Sequence, residues 1–169
     1  MAKLVLLRHG QSVGNAADFF TGWIDVSLTS KGVEESLDAG KKIAHLPLDI
    51  VFSSSLVRAQ MTALLALTVH KSDKIAVVLH PKNSSLEKGG TIYSPELQDK
   101  VLPIILANAL NERMYGKLQG LNKEETKHRF GDSQVLEWRR SFKTSPPGGE
   151  SLEMTLKRVL PYFQETILP

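Results

Sequence analysis

Ile50-Val51-Phe52-Ser53-Ser54-Ser55-Leu56-Val57-Arg58-Ala59 decides the fold class. Its first three residues read as a short buried strand, which the three serines follow. Ala59, Met61, Leu64, Leu65 and Leu67 are the apolar positions of the helix that follows. Upstream, Thr29 or Ser30 can cap a helix in which Val33, Leu37, Gly40 and Ala44 recur at helical spacing, and Pro47 follows where it should have ended. Glu34, Glu35, Lys41 and Lys42 form its wet face. The opening stretch Lys3 to Leu7 is an apolar run that stops at Arg8-His9-Gly10, the pattern of a buried central strand. Strand, helix, strand, helix is the rhythm of a parallel sheet, so the prediction is a three-layer α/β domain whose mostly parallel sheet is flanked by helices.

Downstream, Ile75 to Leu79 and Val101 to Leu106 read as further strands, and residues 80–100 as an excursion from the core. The polar, glycine-bearing Lys82 to Thr91 lies there, and Lys88-Gly89-Gly90 and Tyr93-Ser94-Pro95 have the chemistry of surface loops. The chain is polar and helix-prone from Lys123 to Arg140, then breaks at Pro146-Pro147-Gly148-Gly149. A last amphipathic helix starts near Ser151, with Leu152, Leu156, Val159, Leu160 and Phe163 on one face and Pro161 set to kink it or end its first half.

At 169 residues with 41% hydrophobic and 23% charged, the chain suffices for one domain, read as 1–169, and excludes a disordered tail or a fibrous repeat. Lys and Arg exceed Asp and Glu by 21 to 18, a mild excess that suits anionic ligands without a concentrated basic stripe for nucleic acid. Without cysteine there is no disulfide, thiolate nucleophile or Cys-bound metal. No apolar run is long enough to span a bilayer, and the start does not resemble a signal peptide, so a cytoplasmic location is expected.

Arg8-His9-Gly10 falls where open α/β sheets place ligands, at the carboxyl end of a strand. Neutral imidazole can attack phosphorus, a neighbouring guanidinium can hold phosphate oxygens, and glycine lets the backbone turn close to an anion. Alone, the tripeptide reads equally well as a histidine closing a strand. Arg58 falls at a second strand end, so Arg8 and Arg58 could clamp one phosphoryl group, although an isolated helical arginine is usually a solvated one.

On these residues the sequence resembles the histidine phosphatase superfamily, and within it the cofactor-dependent phosphoglycerate mutases. The likeness runs through Leu7-Arg8-His9-Gly10-Gln11-Ser12, Asn15, Phe20-Thr21-Gly22-Trp23, Ser54-Ser55-Leu56-Val57-Arg58-Ala59, Asn111-Glu112-Arg113-Met114-Tyr115-Gly116, Leu118-Gln119-Gly120-Leu121-Asn122-Lys123, Trp138-Arg139-Arg140 and Pro147-Gly148-Gly149-Glu150-Ser151. It weakens over residues 70–100, which read as an insertion. The resemblance implies an isomerase of glycolysis and gluconeogenesis that interconverts 3-phosphoglycerate and 2-phosphoglycerate, primed by 2,3-bisphosphoglycerate. By the family pattern His9 is the phosphorylated nucleophile, with Arg8, Asn15 and Arg58 around its phosphoryl group. Glu112 exchanges the proton of the substrate hydroxyl. Ser12, Thr21, Gly22, Tyr115, Lys123, Arg139 and Arg140 hold the substrate. No metal is implied, the partners are small phosphoglycerates rather than nucleic acid or membrane, and a dimer or tetramer is expected.

Two departures from the pattern stand out. The family carries a second histidine in an HGNSLR-like segment on a later strand; His45, His70, His80 and His128 match no such motif, so that carboxyl-terminal part is expected to be lacking from these 169 residues. Val13-Gly14 precedes Asn15 where the mutases commonly have an aromatic residue. A phosphatase of the same superfamily acting on a small phosphorylated metabolite, and a non-catalytic remnant that binds such metabolites, are the alternatives.

Overall fold

A computed structural model describes residues 3–80, 84–90, 92 and 94–169. Thr91, Tyr93 and residues 81–83, within the expected excursion, lie outside the described residues. In chain order the regular elements are α1 (Val13–Ala16), α2 (Ser30–Ile43), β1 (Val51–Ser54), α3 (Val57–Thr68), β2 (Ile75–Leu79), α4 (Pro95–Gln98), β3 (Val101–Ala107), α5 (Lys123–Phe130), α6 (Asp132–Arg140) and α7 (Leu152–Tyr162). The sheet is parallel and three-stranded in the order β1-β3-β2. β3 is central because it pairs on both sides, Val51 standing opposite Ile104 and Ile75 opposite Val101. Parallel pairing sends β1 and β3 out at the same end of the sheet, so the loops after Ser54 and Ala107 emerge side by side.

Lys3 to Leu7 does not form the central strand that its apolar run predicts. Residues 3–10 carry no regular structure, and Leu6 is 83% exposed. A strand needs a ladder partner, and among the described residues β1 pairs only with β3. The segment is held instead at its far end. Gly10 N–H donates to Thr62 Oγ1 at 3.1 Å, and Gln11 O accepts from Thr29 N–H at 2.9 Å. The crossing over α2 is so close that a Cβ at Gly10 would lie 2.2 Å from Gly32 O, which only glycine permits.

Thr29 caps α2 as expected, its hydroxyl accepting from Gly32 N–H at 3.1 Å. The buried stripe is Gly32, Ser36, Gly40 and Ala44, however, offset from the expected Val33 and Leu37, which are only half-buried. The offset follows from how near α3 comes: Ser36 Oγ meets Thr62 Oγ1 at 3.3 Å, and a Cβ at Gly40 would lie 2.3 Å from Ala66 O. Small residues are what such a close crossing requires.

Lys123 to Arg140 is two helices rather than one run, separated at Gly131, whose φ of 85° is outside the helical region. Ser151 caps α7, accepting from Met154 N–H at 3.1 Å. Pro161 neither ends nor splits that helix; the ladder continues to Tyr162 and widens into a π-helical turn over Phe163–Ile167. A second small core, Phe20 with Leu118 and Val135, sits below the segment that carries Thr21 and Gly22, with Tyr115 and Trp138 packed against it. No helix among the described residues is long and apolar enough to cross a membrane.

Candidate active site

The loops leaving β1 and β3 are locked together before any functional side chain is placed. Asn111, which is buried, accepts through Oδ1 from Ser54 Oγ at 2.7 Å, Ser55 N–H at 3.0 Å and Ser55 Oγ at 2.9 Å. This fixes the residues on either side of it. Arg58, in the first turn of α3, and Glu112, next to Asn111, meet with Arg58 Nη2 donating to Glu112 Oε2 at 2.8 Å. Arg58 is 1% exposed, so it is not the solvated residue that a lone helical arginine suggests. Two more of its five N–H groups donate to Gly22 O at 2.7 Å and Ile24 O at 3.1 Å, which ties α3 to the Thr21-Gly22 segment.

His9 stands beside this pair. Its Nδ1 lies 2.7 Å from Gly10 O; a carbonyl only accepts, so Nδ1 carries the proton and Nε2 keeps its lone pair. Burial holds the imidazole below its ordinary value of 6.5, and the Arg58 and Arg8 guanidinium charges push the same way, against the Gly10 carbonyl and Glu112. The ring is therefore neutral at pH 7, the form a nucleophile needs. NMR titration of His9 should give a midpoint under 6.5, and a midpoint above it contradicts this electrostatic picture. Because the folded value is depressed, the stability linked to His9 is intact above pH 6.5 and is lost as pH falls from there through the folded value.

A cavity of about 400 Å³ opens at His9, lined by Arg8, His9, Gln11, Asn15 and Glu35. Arg8 makes no hydrogen bond or ion pair among the described residues, which leaves its guanidinium for an incoming anion. Ser12 and Asn15 form a capping box. Asn15 N–H donates to Ser12 Oγ at 3.2 Å, and Asn15 Oδ1 accepts from Ser12 N–H at 3.1 Å, so the Asn15 amide offers its NH₂ to the cavity. Glu35, expected on a wet helix face, accepts from Gln11 N–H at 2.8 Å.

Of the remaining expected substrate residues, Tyr115 packs on the Phe20 core and Thr21 and Gly22 follow Phe20 in the chain. Thr21 is buried, and its Oγ1 has no hydrogen-bond partner among the described residues. Gly22 turns with φ 53°, and a Cβ there would lie 2.3 Å from Gln119 Oε1. Tyr115 packs on Phe20 with ring centroids 5.2 Å apart, under the Arg113 guanidinium. Arg139 lies 6.0 Å from the Phe20 ring centroid. Lys123 is already paired, its Nζ 2.6 Å from Asp18 Oδ1. Arg140 is exposed and is not among the residues lining the cavity.

Sequence reasoning missed several members of this assembly. Arg113 is buried and donates to Trp138 O and Arg139 O at 3.0 Å each, fixing the end of α6. Trp23 Nε1 donates to Glu112 O at 2.7 Å. Both stand inside motifs quoted above, and that was the available signal. Glu150, just ahead of α7, also stands inside a quoted motif, whereas Arg158, on α7, carries no local signal; together they bracket the Glu112 loop.

The model of the histidine phosphatase superfamily, branch 1, matches residues 4–82 and 92–167. The 2,3-bisphosphoglycerate-dependent phosphoglycerate mutase of Protochlamydia amoebophila is 55% identical over 169 residues, 100% of this chain and 75% of its own. An Arabidopsis thaliana protein of the same name, mutase 1, is 51% identical over 168 residues, and the chain spans 50% of its length. Among solved structures, a mycobacterial glucosyl-3-phosphoglycerate phosphatase superposes with a TM-score of 0.67 at 22% identity, covering 94% of this chain and 60% of that one, a likeness of fold alone. The chain belongs to branch 1 of the histidine phosphatase superfamily and, within it, to the 2,3-bisphosphoglycerate-dependent phosphoglycerate mutases.

Proposed function

We propose that this chain serves the interconversion of 3-phosphoglycerate and 2-phosphoglycerate by carrying the phosphoryl group on His9. The observation that carries this reading is the His9 ring, its Nδ1 proton directed to Gly10 O, set between guanidinium charges and beside a carboxylate that Arg58 holds. Its residues suit a small polyanion. Arg8 and the Asn15 amide face the cavity, the buried Thr21 hydroxyl lacks a partner among the described residues, and the Arg139 guanidinium lies over the Phe20 ring. When bound, 2,3-bisphosphoglycerate supplies the phosphoryl group that primes the enzyme.

His9 Nε2 attacks phosphorus, the N–P bond forming as the ester P–O bond breaks. Glu112 gives a proton to the departing oxygen through Oε1, the oxygen that Arg58 leaves free. In the second half Glu112 removes the proton from the hydroxyl of a monophosphoglycerate. That oxygen attacks phosphorus, and the N–P pair returns to Nε2. Arg8 and Arg58 neutralise the equatorial oxygens throughout. A dimeric or tetrameric assembly and a cytoplasmic setting are part of this proposal on the resemblance alone.

A phosphatase is disfavoured because the relatives at about half identity over the whole chain bear the mutase name, whereas the phosphatase structure shares only fold-level identity. Charging the protein with labelled 2,3-bisphosphoglycerate and chasing with 3-phosphoglycerate separates the two: label passes to organic phosphates in a mutase and to inorganic phosphate in a phosphatase. In that chase Glu112→Gln should slow transfer by about 10²–10⁴-fold while weakening phosphoglycerate binding far less. Equal losses in rate and binding would make Glu112 a structural residue.

A further inference from the structure

The Glu112 carboxylate is anchored by Arg58, but its backbone is anchored from elsewhere. Arg158, on α7, donates through Nη1 to Asn108 O at 3.1 Å, Ala109 O at 2.8 Å and Asn111 O at 3.2 Å, and through Nη2 to Glu112 O at 3.5 Å. The rest of its guanidinium is taken by Glu150, with Nε to Oε1 at 3.0 Å and Nη2 to Oε2 at 2.9 Å, a two-pronged pair. Glu150 in turn grips the far side of the same loop. Its Oε2 accepts from Met114 N–H at 2.9 Å, and its own N–H donates to Met114 O at 2.8 Å.

Trp23 completes the bracket. Its Nε1 donates to Glu112 O at 2.7 Å, and the Arg158 guanidinium lies 5.6 Å from its ring centroid. Four loop carbonyls, those of Asn108, Ala109, Asn111 and Glu112, are therefore gathered on one guanidinium while the Met114 N–H is fixed by that guanidinium's partner. Burial alone would raise the Glu150 carboxyl, but Arg158 and the Met114 N–H hold it below its ordinary 4.5, so both charges persist at neutral pH. Neither Arg158 nor Glu150 lines the cavity at His9.

We infer that Arg158, paired with Glu150, is a positioning residue for the proton-transfer step: it sets the Glu112 backbone so that the free carboxylate oxygen stands where the leaving oxygen departs. The inference rests on the reaction proposed above. Only a planar fork with donors on every edge can gather several carbonyls and a carboxylate at once, and lysine cannot reproduce it. A purely structural arginine would affect every reaction of His9 alike. A positioning arginine affects only those in which the departing oxygen needs a proton.

The test compares how fast His9 is charged from two donors. From 2,3-bisphosphoglycerate the leaving group is a monophosphoglycerate alkoxide that must be protonated, and from p-nitrophenyl phosphate it is p-nitrophenolate, stable without a proton. In Arg158→Lys, charging from 2,3-bisphosphoglycerate should fall by about 10²-fold, charging from p-nitrophenyl phosphate should change little, and Glu112→Gln should show the same split. Glu150→Gln, which keeps the shape of the partner, should show it more weakly and stands in if Arg158→Lys does not fold. Equal losses from both donors, or none from either, would overturn the inference while leaving the phosphohistidine reading intact. Absence of His9 charging in the unsubstituted protein would instead overturn that reading, and this inference with it.

Discussion

His9→Ala removes acid-labile phosphate incorporation from 2,3-bisphosphoglycerate and lowers phosphoryl transfer on the order of 10⁴-fold or more, since among the described residues lining the cavity His9 is the imidazole that can form the acid-labile intermediate. Gln11 and Asn15 are amides, Arg8 is always protonated, and Glu35 is engaged with the Gln11 N–H. The fold should hardly change. The imidazole is half-buried, and its one hydrogen bond is to the adjacent residue, Gly10. Thermal unfolding of the variant close to that of the parent, together with loss of labelling, is the expected pair of results. Labelling at the parent's stoichiometry would remove His9 from the mechanism.

Arg58→Met acts on both stability and transfer, and the magnitudes tell which dominates. Methionine fills the buried stem but leaves Gly22 O and Ile24 O without their donor, at about 1–3 kcal/mol for a buried unsatisfied acceptor. The lower part of that range applies to Ile24 O, because Ile24 is exposed, and the upper part to Gly22 O, which is buried. The Glu112 carboxylate also loses its partner, but its side chain is 40% exposed, so water compensates much of that loss. The larger effect falls on transfer. One guanidinium on the equatorial oxygens is worth about 10³–10⁵-fold in phosphoryl transfer, and releasing Glu112 adds to the loss. Denaturant unfolding and single-turnover transfer measured together check this: a large loss of stability with less than a tenfold loss in rate would make Arg58 structural only.

Much of the fold was readable because short apolar runs bounded by turn residues reveal strands regardless of partner. Ile75–Leu79 and Val101–Ala107 are strands as expected, and Thr29 and Ser151 cap the helices that their positions suggested. Lys3 to Leu7 shows the limit of that signal. An apolar run records that a segment would be buried in a sheet, but not whether a neighbour is present to pair with it. The offset stripe of α2 was hidden for a different reason: glycine and serine add little to an apolar period, yet they are the residues that let helices approach closely.

The site divides in the same way. Arg58 and Glu112 meet because β1 and β3 end side by side, while Arg8, His9 and Asn15, from a segment outside the sheet, line one cavity, and both charges of the pair act on His9. What the motifs did not reveal is support from a distance. Arg158 acts on carbonyls about fifty residues upstream, and nothing in the local sequence of an amphipathic helix separates such an arginine from a solvated one. Glu35 is exposed, as its helical position reads, and what the local sequence does not reveal is that it also borders the cavity and accepts from the Gln11 N–H.

The most direct test of the account is to charge the nitrogen-15-labelled protein with 2,3-bisphosphoglycerate and locate the phosphoryl group by nitrogen and phosphorus NMR. With Nδ1 hydrogen-bonded to Gly10 O, the group belongs on Nε2 of His9, labile to acid and discharged by 3-phosphoglycerate. Phosphate on Nδ1, on another residue, or on none would contradict it.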